Sequence, residues 1–170
     1  LPVVELKEVF RQAMESLIIV NAHKIISGNT MELDRKDADF FMLEQKTSSR
    51  ALRLISDLCS ERLPNTYGFS STDDIQVLCP SKKMELGTVN INNVLQSRLN
   101  PPRDDLPEIA FKGFVLRKGD KVMQTKNNYD IVWEDDDGNA GMGVFNGDVG
   151  ILEDIDVENR VLYVRFLDKV

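Results

Sequence analysis

The sequence has little of the chemistry on which enzymes most often rely. It contains one histidine and two cysteines, and Cys59 and Cys79 lie far apart in the chain. Zinc sites and disulfide frameworks need closely spaced or paired ligands, so neither is predicted, and both cysteines are interpreted as small core residues. His23 has no evident partner in the sequence and is interpreted as a surface residue. A serine–histidine–aspartate triad and a metal site therefore have little support.

The glycine-rich signatures of nucleotide and acyl chemistry are also missing. No GxxxxGK[ST] phosphate loop, no GxGxxG and no GxSxG occurs in the sequence. No apolar run approaches the roughly 20 residues that cross a bilayer, and no signal-peptide pattern opens the chain. We therefore expect a cytoplasmic protein with no membrane partner. We also expect that the chain alone neither binds ATP in the usual way nor acts as an autonomous enzyme.

The composition is that of an ordinary globular protein, with 170 residues of which 42% are hydrophobic and 29% charged. The formal net charge of -7 disfavours indiscriminate coating of DNA, which draws on clustered lysine and arginine. One stretch, 112–126, is nevertheless basic, whereas acids dominate at 134–137. The basic stretch is either a selective phosphate contact or a solvated hairpin face, and charge alone does not separate the two.

Up to about position 105 the pattern alternates between strand-like and helix-like segments. Short apolar or β-branched runs predict strands at 3–10, 39–44 and 75–79. Apolar residues at helical spacing predict helices at 14–25, after the candidate N-caps at 47–49, and at 87–99. This alternation indicates an α/β layer with a parallel sheet, and its missing strands would lie outside a chain that we interpret as a segment of a larger protein.

From about Phe111 the pattern changes to short strands without helices between them. Strands are predicted at 121–125, 149–152 and 161–166. Asp137-Gly138 and Asn146-Gly147 are turn dipeptides, because glycine adopts positive φ at little cost. We therefore expect a small β-barrel or sandwich, with the domain boundary between residues 105 and 106.

Three blocks of residues, read together, resemble RecD-like helicases. The first block holds FRQA at 10–13 and IVNAH at 19–23, followed by Gly28. The second block holds VLCPSKK at 77–83, LGT at 86–88 and LNP at 99–101. The third and most specific block holds GDKVMQ at 119–124, KNNY at 126–129 and VFNGDVG at 144–150. Two departures are Met84, where relatives often have glycine, and a long acidic insertion at 134–143.

The resemblance implies a fold and a function. Residues 1–105 would be a partial second RecA-like domain of the P-loop NTPase type, and residues 106–170 a truncated SH3-like β-barrel insertion. The whole protein would be a superfamily 1 ATP-dependent DNA helicase of the RecD/TraA, exodeoxyribonuclease V alpha-subunit type. It would translocate on single-stranded DNA and unwind duplex in DNA repair and recombination. ATP and Mg²⁺ would serve that whole protein, and neither is expected bound to this inactive segment.

Arg11 matches the motif IV arginine of the family, which implies a catalytic role. A guanidinium there would reach from the second motor domain to the γ-phosphate of ATP and stabilise charge that develops during transfer. Gln12 is adjacent and is the second predicted ATP-binding residue. Without the resemblance, Arg11 would be interpreted as a surface residue near a helix start.

Two groups of residues are predicted to bind DNA. The first follows a presumed strand and consists of Pro80, Ser81, Lys82, Lys83 and Thr88. Lysines and hydroxyls there would hold a phosphodiester backbone without reading sequence, although Thr88 would serve equally as a helix cap and the loop as a solvated turn. The second group, Lys121, Lys126, Asn128 and Tyr129, combines charge, an amide and an aromatic ring that can stack on a base.

The resemblance names single-stranded DNA as a partner, together with the remaining helicase domains of the same polypeptide and other exodeoxyribonuclease V subunits. A rival interpretation is a non-enzymatic module, in which the SH3-like barrel binds a protein or a nucleic acid. A metal-dependent nuclease has little support, because the acidic residues form no spaced cluster.

Overall fold

The computed structural model describes residues 16–33, 39–135 and 137–166. The chain forms two compact units, 1–45 and 46–170. The predicted strand at 3–10 lies outside the described residues, and so do Arg11 and Gln12. No helix in the described ranges is long and apolar enough to cross a membrane.

The first unit contains helix α1, Leu17–Ile26, as its apolar spacing predicts. Ser16 is the N-cap, and its Oγ accepts from the amide of Ile19 and donates to Asp39 Oδ2 at 2.5 Å. The other oxygen of Asp39 accepts from the Leu17 amide at 2.8 Å, so a distant carboxylate satisfies helix donors that lack intrahelical partners. Gly28, with a φ of 72°, ends the helix where the sequence predicted.

The predicted strand at 39–44 is wrong. The segment is irregular, and no strand of the described part pairs with it. Asp39 is instead bound to the start of α1. An apolar run becomes a strand only where a neighbour supplies a hydrogen-bonded ladder, which local composition does not encode.

The second unit begins with a long helical segment. Helix α2, Ser48–Asp57, starts at the predicted N-cap Thr47, continues through a π-helical turn at Leu58–Arg62, and ends as α3, Leu63–Tyr67. The turn precedes Pro64, which has no amide hydrogen to donate within a helix. The helix was predicted to break at 64–68, and it ends within that range: it passes Pro64 and stops at Gly68, whose φ is 74°.

Residues 75–79 were predicted to form a buried parallel strand, and this prediction is wrong. The segment pairs with no strand of the described part, and the side chain of Leu78 is 85% exposed. Helix α4, Thr88–Leu99, follows as predicted and buries Ile91. Because all strand pairs in the described ranges are antiparallel, the parallel sheet is not found there, and the partial RecA-like domain is not confirmed.

Within the described residues, seven strands follow α4, in agreement with the predicted change of pattern. They are β1 Glu108–Phe111, β2 Phe114–Arg117, β3 Lys121–Met123, β4 Asn128–Glu134, β5 Ala140–Val144, β6 Val149–Asp156 and β7 Val161–Phe166. The three predicted strands correspond to β3, β6 and β7. The seven form three antiparallel sheets, β1-β2, β3-β6-β7 and β4-β5, and in the described ranges these do not close into the predicted barrel.

Buried apolar residues support these sheets, notably Val144, Leu152 and Ile155. On the β4-β5 hairpin, Trp133 lies opposite Gly141, and a Cβ placed on that glycine would stand 2.1 Å from the indole ring. Trp133 is half-buried in this position. Glycine is therefore required opposite this ring, because the indole already fills the space.

Candidate nucleic-acid interface

A buried carboxylate holds α4 against the strands. Asp120 accepts from Gln96 Nε2 at 2.6 Å, from Asn100 Nδ2 at 2.8 Å and from the Arg117 amide at 2.8 Å. A charged acceptor with three donors satisfies the requirement that a buried polar group be fully hydrogen-bonded. Gln96 and Asn100 belong to the second sequence block and Asp120 to the third, so the two blocks are in direct contact.

The main chain around Asp120 is equally constrained. The Leu152 amide donates to the Asp120 carbonyl at 2.9 Å, and the Gly119 amide donates to the Leu152 carbonyl at 2.7 Å. Gly119 has a φ of 92°, which favours glycine, and a Cβ there would lie 3.6 Å from the side-chain nitrogen Nδ2 of Asn100. The first two residues of the GDKVMQ motif therefore have a structural role.

The first predicted DNA-binding group lies in a tight loop before α4. The amides of Thr88 and Val89 donate to the carbonyls of Ser81 and Lys82 at 3.1 and 3.3 Å, which folds the loop back on the helix start. Gly87, not Thr88, is the N-cap residue. Ser81 Oγ donates to the Lys83 carbonyl at 2.9 Å, so the hydroxyl has a structural partner.

The side chains of this loop point to solvent. Pro80, Ser81, Lys82 and Lys83 are exposed, and Thr88 is half-buried. Neither lysine is in an ion pair with any acid of the described ranges. Both ammonium groups are therefore available to a phosphate.

Met84 and Gly87 give the loop its shape. Met84 has a φ of 74° and is 86% exposed. At Gly87 a Cβ would stand 2.2 Å from the carbonyl oxygen of Lys83. The loop thus closes only around a residue without a side chain at 87.

The structure brings together the two halves of the third block. Asn127 Oδ1 accepts from the Asn146 amide at 2.9 Å, and Asn127 Nδ2 lies 3.2 Å from the Tyr129 hydroxyl. The rings of Tyr129 and Phe145 meet edge to face, with centroids 5.7 Å apart. We call the exposed group formed by Lys126, Asn127, Tyr129, Phe145 and Asn146 the Tyr129 cluster.

The Tyr129 cluster is exposed, and Gln124 forms hydrogen bonds to the backbone beside it. Tyr129 is 64% exposed and Phe145 is 42% exposed, so Phe145 is a surface residue and not part of the core. Its ring packs against Tyr129 at the surface. Gln124 donates from its amide side chain to the Lys126 carbonyl at 2.7 Å, and its own carbonyl accepts from Gly147 at 2.9 Å.

Two further predicted residues have local partners. Asn128 Oδ1 accepts from the Asp130 amide at 3.1 Å, and the residue is exposed. Lys121 is half-buried, and its ammonium group donates to the Ile75 carbonyl at 3.3 Å. Of the lysines predicted to contact DNA, Lys121 alone is bound to the protein itself in the described ranges.

Sequence reasoning missed the roles of Asp120 and Phe145 and the contact of Asn127 with Asn146. The signal for all three was present, because each lies in the third block, but their partners are distant in sequence. No group of three histidine, cysteine or acidic side chains able to hold a metal ion occurs in the described ranges.

Part of this surface, the Tyr129 cluster, lies in a segment that matches a known family model. Residues 91–166 match the family model described as the SH3 domain of ATP-dependent RecD-like DNA helicases. The chain is also similar to the ATP-dependent RecD2 DNA helicase of Deinococcus radiodurans, with 26% identity over 151 residues. That alignment covers 89% of this chain and 18% of the relative, so the chain spans less than a fifth of the relative's length.

The matched class is therefore the SH3 domain of RecD-like helicases, and it extends from α4 to β7. The predicted resemblance is confirmed as a similarity: most of the chain aligns with the RecD2 helicase, and residues 91–166 match the SH3 domain model.

Proposed function

We propose that this chain is part of an ATP-dependent DNA helicase and that its SH3 domain holds single-stranded DNA during translocation. The observation that carries the proposal is the Tyr129 cluster, in which an exposed ring and amide groups are fixed together beside an exposed lysine. The match of residues 91–166 to the SH3 domain of RecD-like helicases supports it.

The chemistry of the cluster suits a single strand. An exposed aromatic ring can stack on any base, which typically contributes about 1–3 kcal/mol per base. Lys126 can neutralise a phosphate and release a counterion, so binding should weaken as salt rises. The edge-to-face contact with Phe145 and the hydrogen bond to Asn127 limit the rotation of the Tyr129 ring, which lowers the entropy lost on stacking.

The 80–83 loop would supply a second set of backbone contacts. Lys82 and Lys83 are exposed, and Pro80, Ser81 and Thr88 surround them. Asn128 would offer an amide donor beside Tyr129. The acids at 134–137 are negatively charged, as the DNA backbone is. We therefore expect the DNA strand to avoid the tip of the β4-β5 hairpin, because like charges repel.

The finer parts of the proposal concern the complete protein. It would unwind duplex DNA in repair and recombination, either alone or with exodeoxyribonuclease V subunits, in the cytoplasm. ATP and Mg²⁺ would bind mainly to domains outside this chain, with Arg11 and Gln12 reaching the γ-phosphate. Residues 1–105 would belong to the second RecA-like domain, with a boundary near 105.

Fluorescence anisotropy of the chain with labelled oligo-dT, at low and moderate salt, tests the DNA contact. We expect salt-sensitive binding that weakens about fivefold or more in Lys126→Ala and in Tyr129→Ala. Arg165→Ala is the control, because Arg165 is exposed and paired with Glu153 on a neighbouring strand, and it should bind as the unaltered chain does. Affinity that is the same in all four proteins would contradict the proposal.

One observation favours the rival binding module. Val132 and Met142 face each other across the β4-β5 hairpin, and each is 66% exposed. An exposed apolar pair of this kind is typical of a protein contact. If the chain does not bind oligo-dT at low salt, a protein partner for this hairpin becomes the better assignment.

A further inference from the structure

We propose that Lys121 and Asp120 position the 80–87 loop relative to β3, and that Lys121 does so instead of contacting DNA itself. The inference deepens the proposed function and rests on it, because it concerns how two sets of DNA contacts keep a fixed spacing.

The Lys121 side chain contacts a residue that is distant in the sequence. Its ammonium group donates to the carbonyl of Ile75, 46 residues earlier, in a half-buried contact. Residues 75–79 have no strand partner in the described ranges, so this carbonyl receives no ladder hydrogen bond there. A charged donor to such a carbonyl is among the stronger hydrogen bonds that a protein makes.

The neighbouring residue holds the other side of the loop. Asp120 binds Gln96 and Asn100, which lie in the second half of α4 and at its end. The 80–87 loop lies between Ile75 and α4, and its own hydrogen bonds join it to the helix start. Consecutive residues at the start of β3 thus fix the chain before the loop and the helix after it.

The consequence is a fixed position for Lys82 and Lys83. A lysine is a point charge on a flexible stem, and its contribution to binding falls when the backbone that carries it also moves. With both flanks fixed to β3, the two lysines keep a constant spacing from the rest of the SH3 domain. Lys121 is therefore a positioning residue, since its ammonium group is held at the Ile75 carbonyl.

The first experiment needs no DNA. A nitroxide is attached to Cys79, four residues after Ile75, in a Cys59→Ala background that leaves one thiol. We expect the label to become more mobile in Lys121→Met, to recover in Lys121→Arg, and to be unchanged in Lys118→Met. Lys118 is the matched control, because its ammonium group pairs only with Asp154 in the described ranges. Unchanged mobility in Lys121→Met overturns the proposal.

A second measurement needs no label, so it can be made even if the Cys59→Ala variant does not fold. Hydrogen exchange at the amides of Thr88 and Val89, which are bonded to the loop, should be roughly tenfold faster in Lys121→Met, the effect of about one lost hydrogen bond. If Lys121→Met itself is unfolded, Lys121→Gln replaces it with a shorter donor. Exchange that stays at the unaltered rate in the folded variant contradicts the inference.

A double-mutant cycle with oligo-dT separates positioning from direct contact. If Lys121 acts through the loop, Lys121→Met should weaken binding about threefold to tenfold in the unaltered chain and by less than about 1.5-fold in a Lys82→Gln/Lys83→Gln background. Equal losses in both backgrounds mean a direct phosphate contact and overturn the positioning role. If no variant binds oligo-dT, the proposed function fails, while the label and exchange measurements still decide the positioning of the loop.

Discussion

The side-chain amide of Asn21 pairs with both main-chain polar groups of Glu32. Asn21 Oδ1 accepts from the Glu32 amide at 2.7 Å, and Nδ2 donates to the Glu32 carbonyl at 2.9 Å. Asn21 is only 1% exposed, and Lys24 adds an ion pair to the Glu32 carboxylate at 3.0 Å. The asparagine of the IVNAH motif thus fixes the segment that follows α1.

We expect Asn21→Ala to destabilise the first unit by about 2–4 kcal/mol, because it removes two hydrogen bonds and leaves the half-buried backbone groups of Glu32 unpaired. Urea unfolding followed by circular dichroism measures the change. Asn29→Ala is the control, since Asn29 is exposed and its side chain has no partner in the described ranges. A loss below about 0.5 kcal/mol for Asn21→Ala would contradict the structural role.

We expect Met84→Gly to stabilise the second unit by up to about 1 kcal/mol. The left-handed conformation costs a residue with a side chain about 1–2 kcal/mol, and the extra backbone entropy of glycine offsets about 0.5–1 kcal/mol of the gain. Met142→Gly is the matched control, an exposed methionine in a strand, and it should destabilise. The two urea midpoints should therefore move in opposite directions.

Gly87→Ala should have the reverse effect on the same loop. The added carbon would stand 2.2 Å from the Lys83 carbonyl oxygen, so backbone must shift, and a cost of about 1–3 kcal/mol is expected. Asn93→Ala, on an exposed part of α4, should change stability by less than about 0.5 kcal/mol. Equal urea midpoints for Gly87→Ala and Asn93→Ala would contradict this expectation, because they would mean that the loop backbone shifts at no cost in stability.

Two acidic turns should respond to pH in the same way. The side chain of Asn139 lowers the pKa of Asp135, and that of Asn159 lowers the pKa of Asp156. A lowered folded pKa stabilises each turn above the ordinary aspartate pKa, and that stability is lost as pH falls through the folded value. Carboxyl NMR titration should show Asn139→Ala raising the pKa of Asp135 and leaving that of Asp156 unchanged. Asn159→Ala should do the converse.

We expect no ATP hydrolysis by this chain, with or without oligo-dT, because no phosphate-binding loop occurs in its sequence. A coupled phosphate-release assay on the purified chain measures the rate. DNA-stimulated turnover that persists after further purification would contradict the proposed division of labour between this chain and the rest of the helicase.

Local pattern predicted α1, α4, β6 and β7 because each carries its own periodicity. The strands expected at 39–44 and 75–79 failed because strand formation depends on a neighbour. Tyr129 and Lys126 are exposed, and their contact with DNA stays a prediction.

The contacts between distant residues could not be predicted in this way. Asn127 meets Asn146 after 19 residues, and Lys121 meets Ile75 after 46. Neither spacing corresponds to a helix or strand period, so sequence pattern carries no trace of it.

The indole ring over Gly141 belongs to the single tryptophan of the chain. The tryptophan emission of the chain therefore comes entirely from the β4-β5 hairpin, whose first strand includes Tyr129. A change in emission wavelength would report rearrangement of this hairpin alone, so the native protein carries an optical reporter beside the candidate interface.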